Sequence, residues 1–131
     1  MAHIIIADDD EIVCEIAYDA LTASGHVVGV VTNGRDALNA ARLKRPDLMI
    51  LDCNMPEMSG IVVLRELRNI PDLSAMPVLM LTARRSDQDQ ELARYAGATD
   101  YLKKPFDPDE LVFRVEELLP DGGGKRGTTA L

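Results

Sequence analysis

Short apolar runs alternate with amphipathic stretches along the whole chain. His3–Ala7 reads as a strand, and Glu11–Ser24 places apolar residues at 13, 16, 17, 20 and 21, which is helical spacing. Gly25 stops that helix, and the Val-rich His26–Val31 is a second strand. Thr32 or Asn33 caps a second helix running to about Lys44, and Pro46 blocks its continuation. Asp47–Asp52 is a third strand. A polar loop, CNMPEMSG, leads into a helix from Gly60 to about Asn69 with Ile61, Leu64 and Leu67 on one face. Met76–Thr82 is a fourth strand, and Ser86–Ala96 a more polar helix ended by Gly97. Thr99–Leu102 is a short fifth strand. Asp107 and Pro108 open the last helix, which turns Leu111, Val112, Val115, Leu118 and Leu119 inward.

Five strand–helix units imply parallel pairing through right-handed crossovers. Strands that are apolar throughout fit a sheet covered on both faces. The expectation is a doubly wound α/β domain over residues 1–119, a length that suits one domain. The pattern leaves strand order open. The flavodoxin-like order 2-1-3-4-5 is one common solution for five strands. Residues 120–131 break the pattern with three consecutive glycines and no periodicity, and read as a flexible tail or the start of a linker.

Composition narrows the class. Apolar residues make up 47% of the 131 positions and aromatics only 4%, so the core is aliphatic. Fourteen basic and 22 acidic residues give a net charge of −8, which argues against nucleic-acid binding by this domain. It is compatible with cation binding and with a basic partner surface, while most of it serves to keep the domain soluble. Cys14 and Cys53 form no CxxC pattern. No leader precedes the first strand, and no apolar run nears the roughly 20 residues needed to span a bilayer. The expected setting is the reducing cytoplasm.

In a doubly wound sheet, functional groups gather at the carboxyl ends of the strands. The first strand delivers Asp8 and Asp9 there, the third Asp52 with Asn54 beyond it, the fourth Thr82, and the fifth Lys104 and Pro105. If the first and third strands are neighbours, three carboxylates share one pocket, and a hard divalent cation offsets their repulsion. Two metal-binding carboxylates, a third as nucleophile, a hydroxyl and an ammonium make a phosphoryl-handling set. Asp10 fits better as the first helix's cap, with Glu11 a first-turn charge suited to the helix dipole. His3 and His26 begin strands and read as structural, as do Met55, Met58 and Cys53.

IIIADDDE, PDLMILDCNMPEMSG, PVLMLTA and GATDYLKKPF occur in that order. In these motifs and their spacing the chain resembles the receiver domain of bacterial two-component response regulators, over about residues 2–119. The resemblance implies the 2-1-3-4-5 order, five helices and a phosphorylation-driven signalling switch, not a turnover enzyme. It implies that Asp52 accepts a phosphoryl group from a histidine kinase or histidine phosphotransfer protein. It implies Mg²⁺ (or Mn²⁺) held by Asp9 directly, Asp8 through water, Asp52, and the Asn54 backbone carbonyl. Thr82 is then the switch hydroxyl, Tyr101 the switch aromatic and Lys104 the conserved cation, often joined to its proline by a cis bond. Arg84 and Asn54 occupy positions that modulate hydrolysis of the aspartyl phosphate. Asp100 and Arg114 lie on the face of the fourth helix, fifth strand and fifth helix. That face changes packing in the switch and serves an output domain, a downstream protein or a homodimer.

Rival readings fare worse. An aspartyl-nucleophile phosphatase needs a second Asp two residues after its nucleophile, where this chain has Asn54. A flavin carrier needs a Ser/Thr/Gly-rich loop after the first strand, and three aspartates there repel a phosphate. An interaction module without phosphorylation leaves the whole acidic, hydroxyl and lysine set unexplained.

Overall fold

The computed structural model describes residues 1–83 and 87–120. Five parallel strands form one sheet: β1 (His3–Ala7), β2 (Val27–Val31), β3 (Leu48–Asp52), β4 (Val78–Thr82) and β5 (Asp100–Lys103). Their order is β2-β1-β3-β4-β5. The helices are α1 (Glu11–Ala23), α2 (Gly34–Leu43), α3 (Gly60–Arg68), α4 (Asp87–Ala96) and α5 (Pro108–Leu118). The doubly wound architecture is the one the pattern predicts, and its flavodoxin-like order is the one the resemblance implies. A short 3-10 turn at Pro71–Leu73 has no counterpart in the sequence reading. The start of α4 expected at Ser86, and the tail from 121 onward, lie outside the described residues.

Local chemistry sets the helix starts. Asp10 Oδ1 accepts from the Ile12 and Val13 amides at 2.9 and 3.3 Å, so it caps α1. Asn33 caps α2 through the Asp36 amide at 2.8 Å, Ser59 caps α3, and Asp107 caps α5 ahead of Pro108. Each side-chain oxygen satisfies an amide that the first helical turn leaves unpaired.

The core lies on both faces of the sheet. Ile5, Met49, Leu51 and Met80 pack with Ala37, Leu38, Leu64 and Leu67 on one face. Ile4, Ile6, Ile50 and Leu81 pack with Ala17, Leu21, Leu111 and Val115 on the other. β3 and β4 are buried at every position. β2 departs from the expectation of a strand covered on both sides: it is an edge strand, with Val27 and Val30 exposed. On α1 the inward stripe is Cys14, Ala17 and Leu21, while Ile12 and Ile16 face solvent.

Register decides what meets at the sheet's carboxyl edge. Ala7 pairs with Leu51, Asp52 with Leu81, and Thr82 with Lys103. Asp8, just beyond β1, therefore stands level with Asp52, and Lys104, just beyond β5, lies one position past Thr82.

Candidate functional site

β1 continues one residue past its end, where the Asp8 amide bonds Val31 O at 3.1 Å. Asp8 is thereby fully buried. Its Oδ1 accepts from the Asp10 amide at 2.9 Å, while Asp9 stays exposed. One carboxylate oxygen from each of Asp8, Asp9 and Asp52 lies within 4.8 Å of the others, so the three fit a single hard cation. That donor set is the test of the expected Mg²⁺ site, and these residues meet it.

Lys104 enters from β5. Its amide donates to Thr82 O at 2.8 Å, and the Lys104–Pro105 peptide is cis. Its ammonium lies 2.7 Å from Asp8 Oδ2 and 3.3 Å from Asp52 Oδ1. Burial pushes the Asp52 carboxyl up from 3.8 to about 6, and the Asp8 charge adds to this; Lys104 and the Asn54 amide pull the other way. For Lys104, burial lowers the ammonium, but its bond to Asp8 and the charges of Asp52 and Asp8 outweigh that and leave it raised. Burial, then the charges of Asp8 and Asp10, push the Cys14 thiol up to about 11. That thiol donates to Asp8 O at 3.1 Å, as a packed structural group does.

Thr82 is fully buried, and its hydroxyl has no hydrogen-bond partner among the described residues. An orphaned buried hydroxyl is costly, so one at a functional edge calls for a ligand that satisfies it. Asn54 is exposed beside the site, and its amide bonds the Asp52 carboxylate. Cys53 and Met55 are buried, and Met58 packs against the core, which matches their structural reading. Arg84 lies outside the described residues.

Tyr101 is half-buried on the α4 side of the sheet. Its hydroxyl accepts from Arg94 Nη2 at 2.9 Å, and the guanidinium sits 5.6 Å from the ring centroid. Sequence pattern gives no reason to single out Arg94. Asp100 and Arg114 pair with each other inside one chain at 3.1 Å, and Arg114 also bonds Glu110 at 3.2 Å. His26 is structural, taking the Ala2 amide on Nδ1 and meeting Glu116 at 3.3 Å.

The family model described as response regulator receiver domain matches residues 4–116. The chain belongs to that family. It is a receiver domain, the signalling-switch module of response regulators. It is 42% identical over 117 residues to the DNA-binding response regulator MtrA of Mycobacterium tuberculosis, a match that covers 89% of this chain and 50% of MtrA. The chain thus spans about half the length of the full-length relatives it matches. Among solved structures, a putative response regulator from Chloroflexus aurantiacus aligns with a TM-score of 0.87 at 35% identity, covering 89% of this chain and 96% of that one. The receiver domain of a sensor histidine kinase from Pseudomonas aeruginosa aligns at 0.84 and 29% identity, covering 89% and 96%, and was solved with magnesium in its active-site cleft. Among the described residues no helix is long and apolar enough to cross a membrane.

Proposed function

We propose that Asp52 of this receiver domain is the phosphoacceptor in a two-component signalling reaction. The carrying observation is its setting: a buried carboxylate that shares Lys104 with Asp8, at the same sheet edge as a buried Thr82 hydroxyl that no described residue bonds. A carboxylate oxygen of Asp52 attacks the phosphorus of a phosphohistidine on a histidine kinase or phosphotransfer protein. The P–N bond breaks, its electron pair stays on the imidazole, and that nitrogen takes up a proton. Lys104 faces the new phosphoryl oxygens, and the Thr82 hydroxyl donates to one of them. Asp9, Asp52 and the Asn54 carbonyl, with Asp8 through water, would hold Mg²⁺ (or Mn²⁺), which would supply positive charge to the phosphoryl oxygens.

The phosphoryl group adds about −1.5 to −2 charges and three acceptors, which biases a two-state equilibrium. Thr82 moves toward it and Tyr101 fills the vacated space, so the α4–β5–α5 face repacks. That face, with Asp100 and Arg114, then engages an output domain, a partner or a second copy. MtrA is named a DNA-binding response regulator, which supports a DNA-binding output for the whole protein. We place the domain in the cytoplasm, where thiols are kept reduced.

The test is incubation with Mg²⁺ and phosphoramidate, read by intact mass. Wild type gains one phosphoryl group, and Asp52→Ala gains none. An adduct that survives the substitution overturns the assignment.

A further inference from the structure

Two glycines grip the loop between β3 and α3. Gly34 is the first residue of α2 and Gly60 the first of α3, and both are buried. A Cβ on Gly34 would overlap the Met58 carbonyl oxygen and stand 2.8 Å from Val63 Cγ2 and 2.9 Å from Met58 Cβ. A Cβ on Gly60 would overlap the Asp52 carbonyl oxygen and stand 2.9 Å from its carbonyl carbon. The obstacles include backbone, which cannot rotate away as a side chain can.

The gripped loop is strained. The Met58 amide bonds Pro56 O at 2.7 Å, closing a γ-turn around Glu57, whose φ is +69°. Positive-φ γ-turns are rare, and a non-glycine residue there persists only when its surroundings impose it. The same loop carries Asn54, whose amide bonds Asp52, and the Gly60 amide ties it back to Cys53 O at 3.0 Å.

We propose that Gly34 is a positioning residue for the phosphorylation site: by admitting the Met58 carbonyl against α2 it holds Glu57 at positive φ and fixes the Asn54-bearing loop beside Asp52. Gly34 acts through Met58, not by touching the reacting groups. A misplacement of about 1 Å at a reacting centre costs up to about a hundredfold in rate. The inference rests on the phosphoacceptor reading of Asp52.

Gly34→Ala is compared with Gly29→Ala, a matched change at a site where a Cβ meets nothing within 4 Å. Phosphorylation by phosphoramidate, Mg²⁺ affinity by calorimetry and the metal-free amide shifts of residues 53–60 are measured well below each Tm. Gly34→Ala slows phosphorylation by roughly tenfold or more, weakens Mg²⁺ binding and displaces those amide shifts, while Gly29→Ala matches wild type. A folded Gly34→Ala with the wild-type rate and Mg²⁺ affinity overturns the proposal. If Gly34→Ala does not fold, Glu57→Pro decides, because proline fixes φ near −65° and so removes the positive φ while both glycine contacts stay in place. A slower rate in the folded variant upholds positioning, and an unchanged rate overturns it. A wild type that takes up no phosphoryl group refutes the phosphoacceptor reading instead.

Discussion

Lys104 Nζ lies 2.7 Å from Asp8 Oδ2, closer than the 3.3 Å that separates it from Asp52. In the metal-free domain this lysine therefore serves first as the counter-ion of a fully buried carboxylate. Removing one partner of a buried ion pair costs about 3–5 kcal/mol. The Lys104 side chain keeps 23% exposure, which reduces that figure to about 2–3 kcal/mol. Lys104→Met should lower the Tm in EDTA accordingly, and Mg²⁺ should recover part of the loss. The Asp52 carboxyl should also titrate higher than in wild type, since Lys104 is one of the groups pulling it down. An unchanged Tm in EDTA would show that the pair contributes nothing to stability.

Asp52 itself should destabilise the metal-free fold. Its carboxyl is raised from 3.8 to about 6, so the folded state favours the protonated form. Its contribution to stability is fully present below the ordinary carboxylate pKa and is lost as pH rises through about 6. The full loss corresponds to about 3 kcal/mol. Asp52→Asn should therefore be more stable than wild type at pH 7.5 by up to that amount, with the two converging near pH 4. Urea denaturation in EDTA at both pH values checks this. An Asn variant less stable at pH 7.5 would refute it.

The parts of this molecule legible in sequence are those in which each residue reports on its own surroundings. β3 and β4 read as buried strands because LMILD and VLMLT are apolar wherever both faces are covered. VVGVV reads the same way, yet β2 is an edge, because composition does not say which neighbour is missing. Asp8, Asp9, Asp52, Thr82 and Lys104 were readable as one set because each ends or follows a strand. Contacts between elements were not readable. Gly34 looks like an ordinary helix start until Met58 is seen lying against it. Arg94 looks like a solvated charge until it is found over Tyr101. The Asp100–Arg114 pair closes within one chain, which spacing alone does not reveal.

Arg94 should tune the resting state of the switch. Its hydrogen bond and ring contact hold the Tyr101 hydroxyl on the solvent side. Arg94 is exposed, so the two contacts together contribute about 1 kcal/mol. That is roughly a fivefold bias on a two-state equilibrium. In Arg94→Ala, Tyr101 should populate its inward rotamer more, and beryllofluoride should bind about fivefold tighter. Side-chain NMR couplings of Tyr101 and a beryllofluoride titration measure the two effects. Unchanged couplings would mean that Arg94 does not restrain the ring.

Arg68 should be the costliest exposed-end residue to lose on the α3 side. It closes α3, and its guanidinium reaches three backbone carbonyls: Gly97 O at 2.9 Å, Met76 O at 2.8 Å and Leu73 O at 3.2 Å. Those carbonyls belong to the end of α4, the approach to β4 and the 3-10 turn, so one side chain ties three connections together. Burial lowers the Arg68 pKa, but an arginine stays charged in proteins. Gly97 sits at φ +104° with its missing Cβ facing Arg68 Cγ and Nε at 3.3 Å, so the guanidinium fits against a bare backbone. Arg68→Ala removes the charged donor from all three carbonyls, of which Leu73 O keeps the Met76 amide, and should cost about 3 kcal/mol, after discounting each charged hydrogen bond for partial exposure. Arg68→Lys should recover less than half, because an ammonium cannot reproduce the planar fork. Urea denaturation gives the stabilities. Faster hydrogen exchange at Ala98 and Thr99, whose amides bond Ala93 O and Val78 O beside this brace, would localise the loss. A lysine variant as stable as wild type would show that charge alone, and not the fork, holds the three connections.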